Sequence, residues 1–391
     1  MIMKAGKRVI LTLLILILAV IVALTAQRVL GKPSQQSAAQ AQVTWEVELP
    51  SELQGRLYEI AIVPGEPQVI ATSPEAIWRI AGPDKLEQIL RLESDGQGGE
   101  SAILAGDGSR AGILTHQQHA IVGFRLVDLT GNILARLEQP RQFHYRISPR
   151  GDSFVGIDAA GEHVQVKADR FVYTFYDDNG RVMAEVTSER PQSSDSAYTT
   201  DGGAFLVSNA NGLFAYRISN GEPLWHIPKQ AKSFSAANTE TLLAVVSDAQ
   251  ERNVVEAYRA GESLWRFSLE RNVRNLTLSP NGEYTLTTDG NTAHMLTPGS
   301  RTPIWSFTMP DKELTINAVA VNDRGVVALG AQHSELSQGL VVILDADGKS
   351  MFERELKYEL SNAWIPGVQF DLSGSLVLIR TLEELILLAT G

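Results

Sequence analysis

The stretch HQQH holds His116 and His119. Imidazoles at such short spacing ligate a transition metal when further donors and a fixed geometry complete the set. No such set is legible around them, and the pair reads as part of a solvated connection between strands. Asp345 and Asp347, in DADG, resemble the opening of a calcium loop. No glutamate stands at the required twelfth position, so a hairpin turn is the better reading. The chain has no glycine loop ending in Gly-Lys-Ser/Thr, no HExxH and no GxSxG. It also has no cysteine. That excludes disulfides, thiolate zinc sites, thiol-linked haem and a cysteine-borne lipid anchor. No catalytic, cofactor-binding or metal-binding residue is assigned on these grounds, and no cofactor is expected.

Tryptophan spacing reveals the scaffold. Trp225, Trp265 and Trp305 follow one another at intervals of forty residues, in NGEPLWHIPK, AGESLWRFSLE and SRTPIWSFTMP. Trp265, Phe267 and Leu269 alternate with Arg266 and Ser268, and Trp305, Phe307 and Met309 with Ser306 and Thr308. A period of two is a strand with one face buried. The glycine-containing segments ahead of the strands supply the positive φ that hairpin turns need. A second turn series includes SPRGDSFVGID at Ser148, SPNGEYTLTTD at Ser279 and DLSGSLVLIR at Asp371. Between Gly65 and Gly374 it recurs about every 44 residues. Units of this length, each with four short strands, predict an all-β fold, an eight-bladed β-propeller. Seven blades remain possible, because residues 159–170 lengthen one unit.

The last unit lacks its fourth strand. Residues 43–50 supply it: Trp45, Val47 and Leu49 alternate with Thr44, Glu46 and Glu48. The N-terminal strand is therefore expected to close the ring and remove an open sheet edge. Trp45, Trp225, Trp265 and Trp305 are read as structural, filling space between neighbouring blades.

The G-x-x-L-W unit resembles the PQQ-like repeat of bacterial eight-bladed propellers, and the SPNGEY turns are similar to those of WD40-like bacterial repeats. The likeness covers roughly residues 43–391. Two branches of such propellers bear on function. Quinoprotein dehydrogenases hold pyrroloquinoline quinone; the propeller lipoprotein of the outer-membrane assembly machinery binds proteins. This chain lacks the adjacent-cysteine disulfide typical of many quinoprotein sites, and none of that family's cofactor-binding residues can be matched. It lacks the assembly factor's lipid-bearing cysteine too, a role that a transmembrane anchor would fill. The resemblance implies a protein-interaction or scaffolding module of the cell envelope. The alternative is a propeller enzyme, a quinone-dependent dehydrogenase or a hydrolase/lactonase, and fold alone does not decide.

Residues 9–27 carry no charge. At 1.5 Å per residue they span roughly 28 Å, close to a bilayer core. Lys4, Lys7 and Arg8 precede them, which predicts a cytoplasmic N-terminus. The small-residue site AQA lies too far beyond this stretch for normal cleavage, so a retained signal-anchor is favoured over a cleaved peptide. The expected organisation is a cytoplasmic N-terminus (1–8), a transmembrane anchor (9–27), a flexible tether (28–42) and an extracytoplasmic propeller (43–391). That places the protein in the inner (plasma) membrane as a single-pass protein. The first 32 residues hold five basic side chains and no acidic one, leaving the remainder with a net charge of −16. Such a body argues against nucleic acid as partner. The expected partner is another envelope protein.

The irregular connections fall at 93–100, 188–197, 248–253, 331–339 and 355–367, and in a propeller all of these emerge on one face. Variable loops on a rigid scaffold are where binding resides. This predicts a binding face that includes Gln97, His116, His119, Ser193, Gln332, Asn362 and Trp364, the last either an aromatic of the type enriched at binding hot spots or a side chain buried over the channel mouth. His144, Arg146 and Asp371, in inner strands, are candidates to line the central channel, although propeller channels are commonly polar without function. The closing strand begins on the opposite face, so the loop face is expected to point away from the membrane.

Overall fold

Eight four-stranded antiparallel sheets follow one another along the chain in a computed structural model. It describes residues 40–93, 98–117, 120–138, 142, 144–160, 170–189, 196–239, 243–248, 250–333, 338–357 and 367–390. Blade 1 is Ile60–Ile62, Val69–Thr72, Ala76–Ile80 and Leu86–Arg91; blade 2 is Gly98–Leu104, Arg110–Gln117, Ala120–Asp128 and Ile133–Glu138. Blade 3 is His144–Ile147, Ser153–Ala160, Arg170–Asp177 and Val182–Glu189; blade 4 is Ser196–Tyr198, Ala204–Asn209, Gly212–Arg217 and Pro223–Ile227. Blade 5 is Ala231–Ala236, Leu243–Asp248, Val254–Arg259 and Glu262–Ser268; blade 6 is Asn275–Leu278, Thr285–Thr288, Thr292–Leu296 and Trp305–Thr308. Blade 7 is Leu314–Val321, Val327–His333, Gln338–Leu344 and Ser350–Lys357. Blade 8 joins Gly367–Phe370, Leu376–Arg380 and Glu384–Ala389 to Gln42–Glu48. The count is eight, and the seven-bladed alternative falls. In each blade the strands are lettered a to d in sheet order, so Gln42–Glu48 is strand d of blade 8. Strands a of blades 5, 6, 7 and 8 touch in succession, which places them around the axis.

Residues 41–391 form one compact unit. Residues 9–27 and the tether up to 39 lie outside the described residues. Among those described, no helix is long and apolar enough to cross a membrane.

The alternating strands bury their apolar faces between blades rather than in one central core. Trp45, Val47 and Leu49 pack with Leu376, Leu378, Leu385 and Leu387 of blade 8 against Ile62, Val69, Ala71 and Ile80 of blade 1. The closing strand pairs antiparallel with strand c of its blade, Gln42 opposite Ala389 and Glu48 opposite Glu384. Arg354, on strand d of blade 7, clamps it with bonds of 2.7 and 2.6 Å to the two oxygens of Glu46. Trp225 fills the blade 4–5 boundary and Trp265 the blade 5–6 boundary. Trp305, half-buried, lies against the blade 6–7 cluster. The glycine ahead of strand d acts by close approach as well as by φ. A Cβ at Gly348 (φ +79°) would come within 2.9 Å of the Trp305 ring, so only glycine lets that turn close over the preceding blade.

The a–b and c–d turns share one face and are stitched to one another. Asp128, Asp177 and Asp345 open c–d turns, and each carboxylate accepts amide hydrogens from residues two and four positions on. Between a–b turns, Thr239 N donates to Asp201 (2.7 Å) and Asn281 N to Asp323 (2.7 Å). Asn322 Nδ2 donates to Gly374 O (2.6 Å), and Gly65 N to Asp371 (3.2 Å). Much of the acidic excess is therefore spent on turn geometry.

Candidate functional site

The opposite face is built from the d–a and b–c connections. His116 lies near the end of strand b of blade 2, its Nε2 2.7 Å from Ser101 Oγ. It lines a cavity of about 610 Å³ with Glu75, Arg91, Glu93, Glu100 and Thr115. Glu100, half-buried with its side chain largely covered, pairs with Arg125. Gln332 is half-buried near the end of strand b of blade 7. Its neighbour His333, 3.9 Å from Asp311, lines a second cavity of about 500 Å³ with Glu353, Arg354 and Glu355. His116 and Gln332 thus lie on the same face but on different blades. Gln97, His119, Ser193, Asn362 and Trp364 lie outside the described residues. Among the described residues no group of three or more His, Asp or Glu side chains is placed to hold a metal ion.

Channel residues form a third region. Tyr58, Glu59, Gln369 and Arg380 line a cavity of about 360 Å³ where strands a of blades 8, 1 and 2 adjoin. Gln369 Nε2 donates to Ile60 O (3.0 Å), Arg380 Nη1 to Tyr58 O (3.2 Å), and Leu104 N to Glu59 (2.6 Å). Glu59 is accessible to water yet enclosed by protein on most sides, as befits a channel wall. That burial raises its carboxyl above the usual range, against the Leu104 amide and the Arg146 charge. Burial likewise pushes Arg380 down. It pushes His144 down as well, with the Arg146 charge adding to the effect. Arg146 leaves its buried Nε without a partner among the described residues.

His144 and Arg146 are where the sequence placed them, on strand a of blade 3. Asp371 is not a channel group. It is buried in the a–b turn of blade 8, accepting from Leu376 N (2.8 Å), Gly65 N and the Ser373 hydroxyl. Its position just past an inner strand suggested the channel, but an aspartate opening a Ser-Gly turn satisfies local amides first.

Sequence reading missed Glu59, Arg380 and a charged network on blade 5. There Lys229 Nζ lies 2.7 and 2.8 Å from the two oxygens of Glu256, which also accepts from the Tyr258 hydroxyl. Asp248 stands 3.7 Å from Lys229, and Arg266 3.6 Å from Glu256. Burial pushes Glu256 up, but its Lys229 and Tyr258 bonds outweigh this and hold it below the ordinary value. Every member is paired, which marks the network as a fastening of the blade 4–5 connection onto blade 5.

Comparison with known proteins fits this architecture. The family described as outer membrane protein assembly factor BamB matches residues 168–301, roughly a third of the chain. No curated protein matches the sequence. Among solved structures, BamB from Moraxella catarrhalis is similar at a TM-score of 0.54 and 13% identity, covering 89% of this chain and 99% of that one. The C-terminal WD40 domain of Sif2 is similar at 0.60 and 12%, covering 90% and 99%. A computationally designed protein, Ika8, is similar at 0.55 and 13%, covering 89% and 99%. At such identities these likenesses speak to fold. The chain is an eight-bladed β-propeller built from PQQ-like repeats similar to those of the BamB family.

Proposed function

We propose that the protein is a protein-interaction module of the cell envelope, held to the inner membrane by residues 9–27, that docks its partner on the loop face. One observation carries this reading: the two faces of the ring differ. The turn face is short, stereotyped and internally hydrogen-bonded, with the carboxylates that open its turns engaged by backbone amides. The loop face opens into cavities lined by side chains that non-adjacent connections bring together. A rigid ring presenting variable loops suits recognition rather than chemistry, and the BamB-like repeats support the same reading.

The test is photo-crosslinking in intact cells. Crosslinkers at Tyr58, Asn211 and Gln332 sample the loop face, and those at Asn220 and Asn281 the turn face. The expected result is one discrete protein adduct from the loop-face positions alone. Adducts from Asn220 or Asn281, with none from the loop face, would overturn the assignment. Protease added from outside the inner membrane should degrade the propeller; protection until that membrane is lysed would refute the orientation.

A further inference from the structure

We infer that the loop face receives an acidic segment of its partner protein on a cationic patch formed by Lys232, Arg252, Arg271 and Arg274. This rests on the loop face being the docking face and adds the chemistry of what docks there. The four residues come from three separate stretches of blades 5 and 6, and backbone bonds bring them together. Val273 N donates to Arg252 O at 2.8 Å, and Lys232 Nζ donates to Val273 O at 3.1 Å. Val273 is buried, whereas Lys232, Arg252, Arg271 and Arg274 are all exposed around it. Arg271 reaches over the b–c turn of blade 6, its Nη1 3.5 Å from where a Cβ on Gly290 would lie.

These cations are unspent. Among the described residues, Arg252, Arg271 and Arg274 make no side-chain hydrogen bond or ion pair, and the bond of Lys232 goes to a backbone carbonyl. Their neighbours behave otherwise. Arg266 pairs with Glu251, Lys229 with Glu256, and Asp289 stands 3.6 Å from His294. One exposed carboxylate, Glu270, shares the connection with Arg271 and Arg274.

Gathering like charges costs Coulomb energy. Here it happens on a body whose net charge beyond residue 32 is −16. Lys232 lies near the loop-face start of strand a of blade 5, and Arg274 just before that of blade 6, so the patch extends to the innermost strands.

Three arginines and a lysine favour carboxylates, which a guanidinium fork grips in two parallel bonds. A nucleic acid carries its phosphates well beyond four side chains, and the acidic body would repel that flanking backbone. An anionic lipid surface meets the same repulsion. A short acidic peptide segment spans about 3.3–3.6 Å per residue when extended. It can engage the patch without approaching the rest of the body.

The test uses the full chain held in phosphatidylcholine nanodiscs, with fluorescence anisotropy of the labelled probe as the readout. The probes are an oligoglutamate peptide, an oligolysine peptide, an oligothymidine strand and phosphatidylglycerol vesicles. Oligoglutamate should bind, more weakly as salt rises, and oligolysine should not. Replacing Lys232→Gln, Arg252→Gln, Arg271→Gln and Arg274→Gln together should weaken oligoglutamate binding at least about tenfold. Lys85→Gln with Arg181→Gln, on the turn face, should leave it unchanged. Full oligoglutamate binding by the quadruple variant, no binding by the parent chain, or tighter binding of oligothymidine or vesicles would each overturn the inference. The quadruple variant is then combined with the Gln332 crosslinker. If it still captures the partner in full yield, the acidic-segment inference fails and the loop-face reading stands. If no loop-face crosslinker captures anything even in the parent chain, the loop-face reading itself fails.

Discussion

A Cβ placed on Gly212 would stand 2.1 Å from the Ile227 carbonyl oxygen, in a backbone with φ of +134°. At Gly65 (φ +73°) the same Cβ meets nothing within 4 Å. The two glycines separate conformational strain from collision. Gly65→Ala should cost about 1–2 kcal/mol, the price of left-handed backbone alone. Gly212→Ala must also push strand d of blade 4 aside and should cost at least about twice as much. Urea midpoints at constant slope measure the difference; equal midpoints would show that the blade 4 contact is not as tight as described. Glu59 gives a pH signature. Its folded pKa is raised by burial, so its contribution is fully present below the ordinary carboxylate value and is lost as pH rises through the raised one. Glu59→Gln should therefore match the parent chain in stability near pH 4 and exceed it modestly at pH 8, since channel water screens the charge. A stability gap that does not change with pH would contradict the assigned burial.

Among the strands, the closing strand completes blade 8 from the other end of the propeller's sequence. Its Trp45 is 8% exposed, against 4% for Trp265, and its indole N–H donates to Pro67 O of blade 1 at 2.6 Å. Trp45→Ala should cost about 3–5 kcal/mol and lower the melting temperature of the whole ring in one transition. Trp305→Ala, at a half-buried position, should cost less. An unchanged melting temperature for Trp45→Ala would refute closure by this strand. These elements were legible because their signals are local: a period of two, a turn glycine, and a tryptophan at fixed offset. Even the N-terminal strand could be matched to the three-stranded last unit by pattern alone. The blade count stayed open only where residues 159–170 stretch one unit, and strand pairing settled it at eight.

Across the whole molecule, the face was legible but the site was not. Long connections, read along the chain, indicated which face varies, and the structure places His116 and Gln332 on that face. Which side chains converge there depends on how the blades stand around the axis. Lys232, Arg252 and Arg274 are dispersed over forty residues of sequence and meet only through the Val273 backbone. Asp371 misled for the converse reason, since its immediate neighbours claim its carboxylate before the channel can. Docking on the loop face is tested most directly by amide hydrogen exchange on the full chain, alone and in its captured complex. Slowed exchange is expected at 49–59, 228–232, 250–253, 269–274 and 309–313, with the a–b and c–d turns unchanged. Protection confined to the turns around Asp128, Asp201 and Asp345 would contradict it.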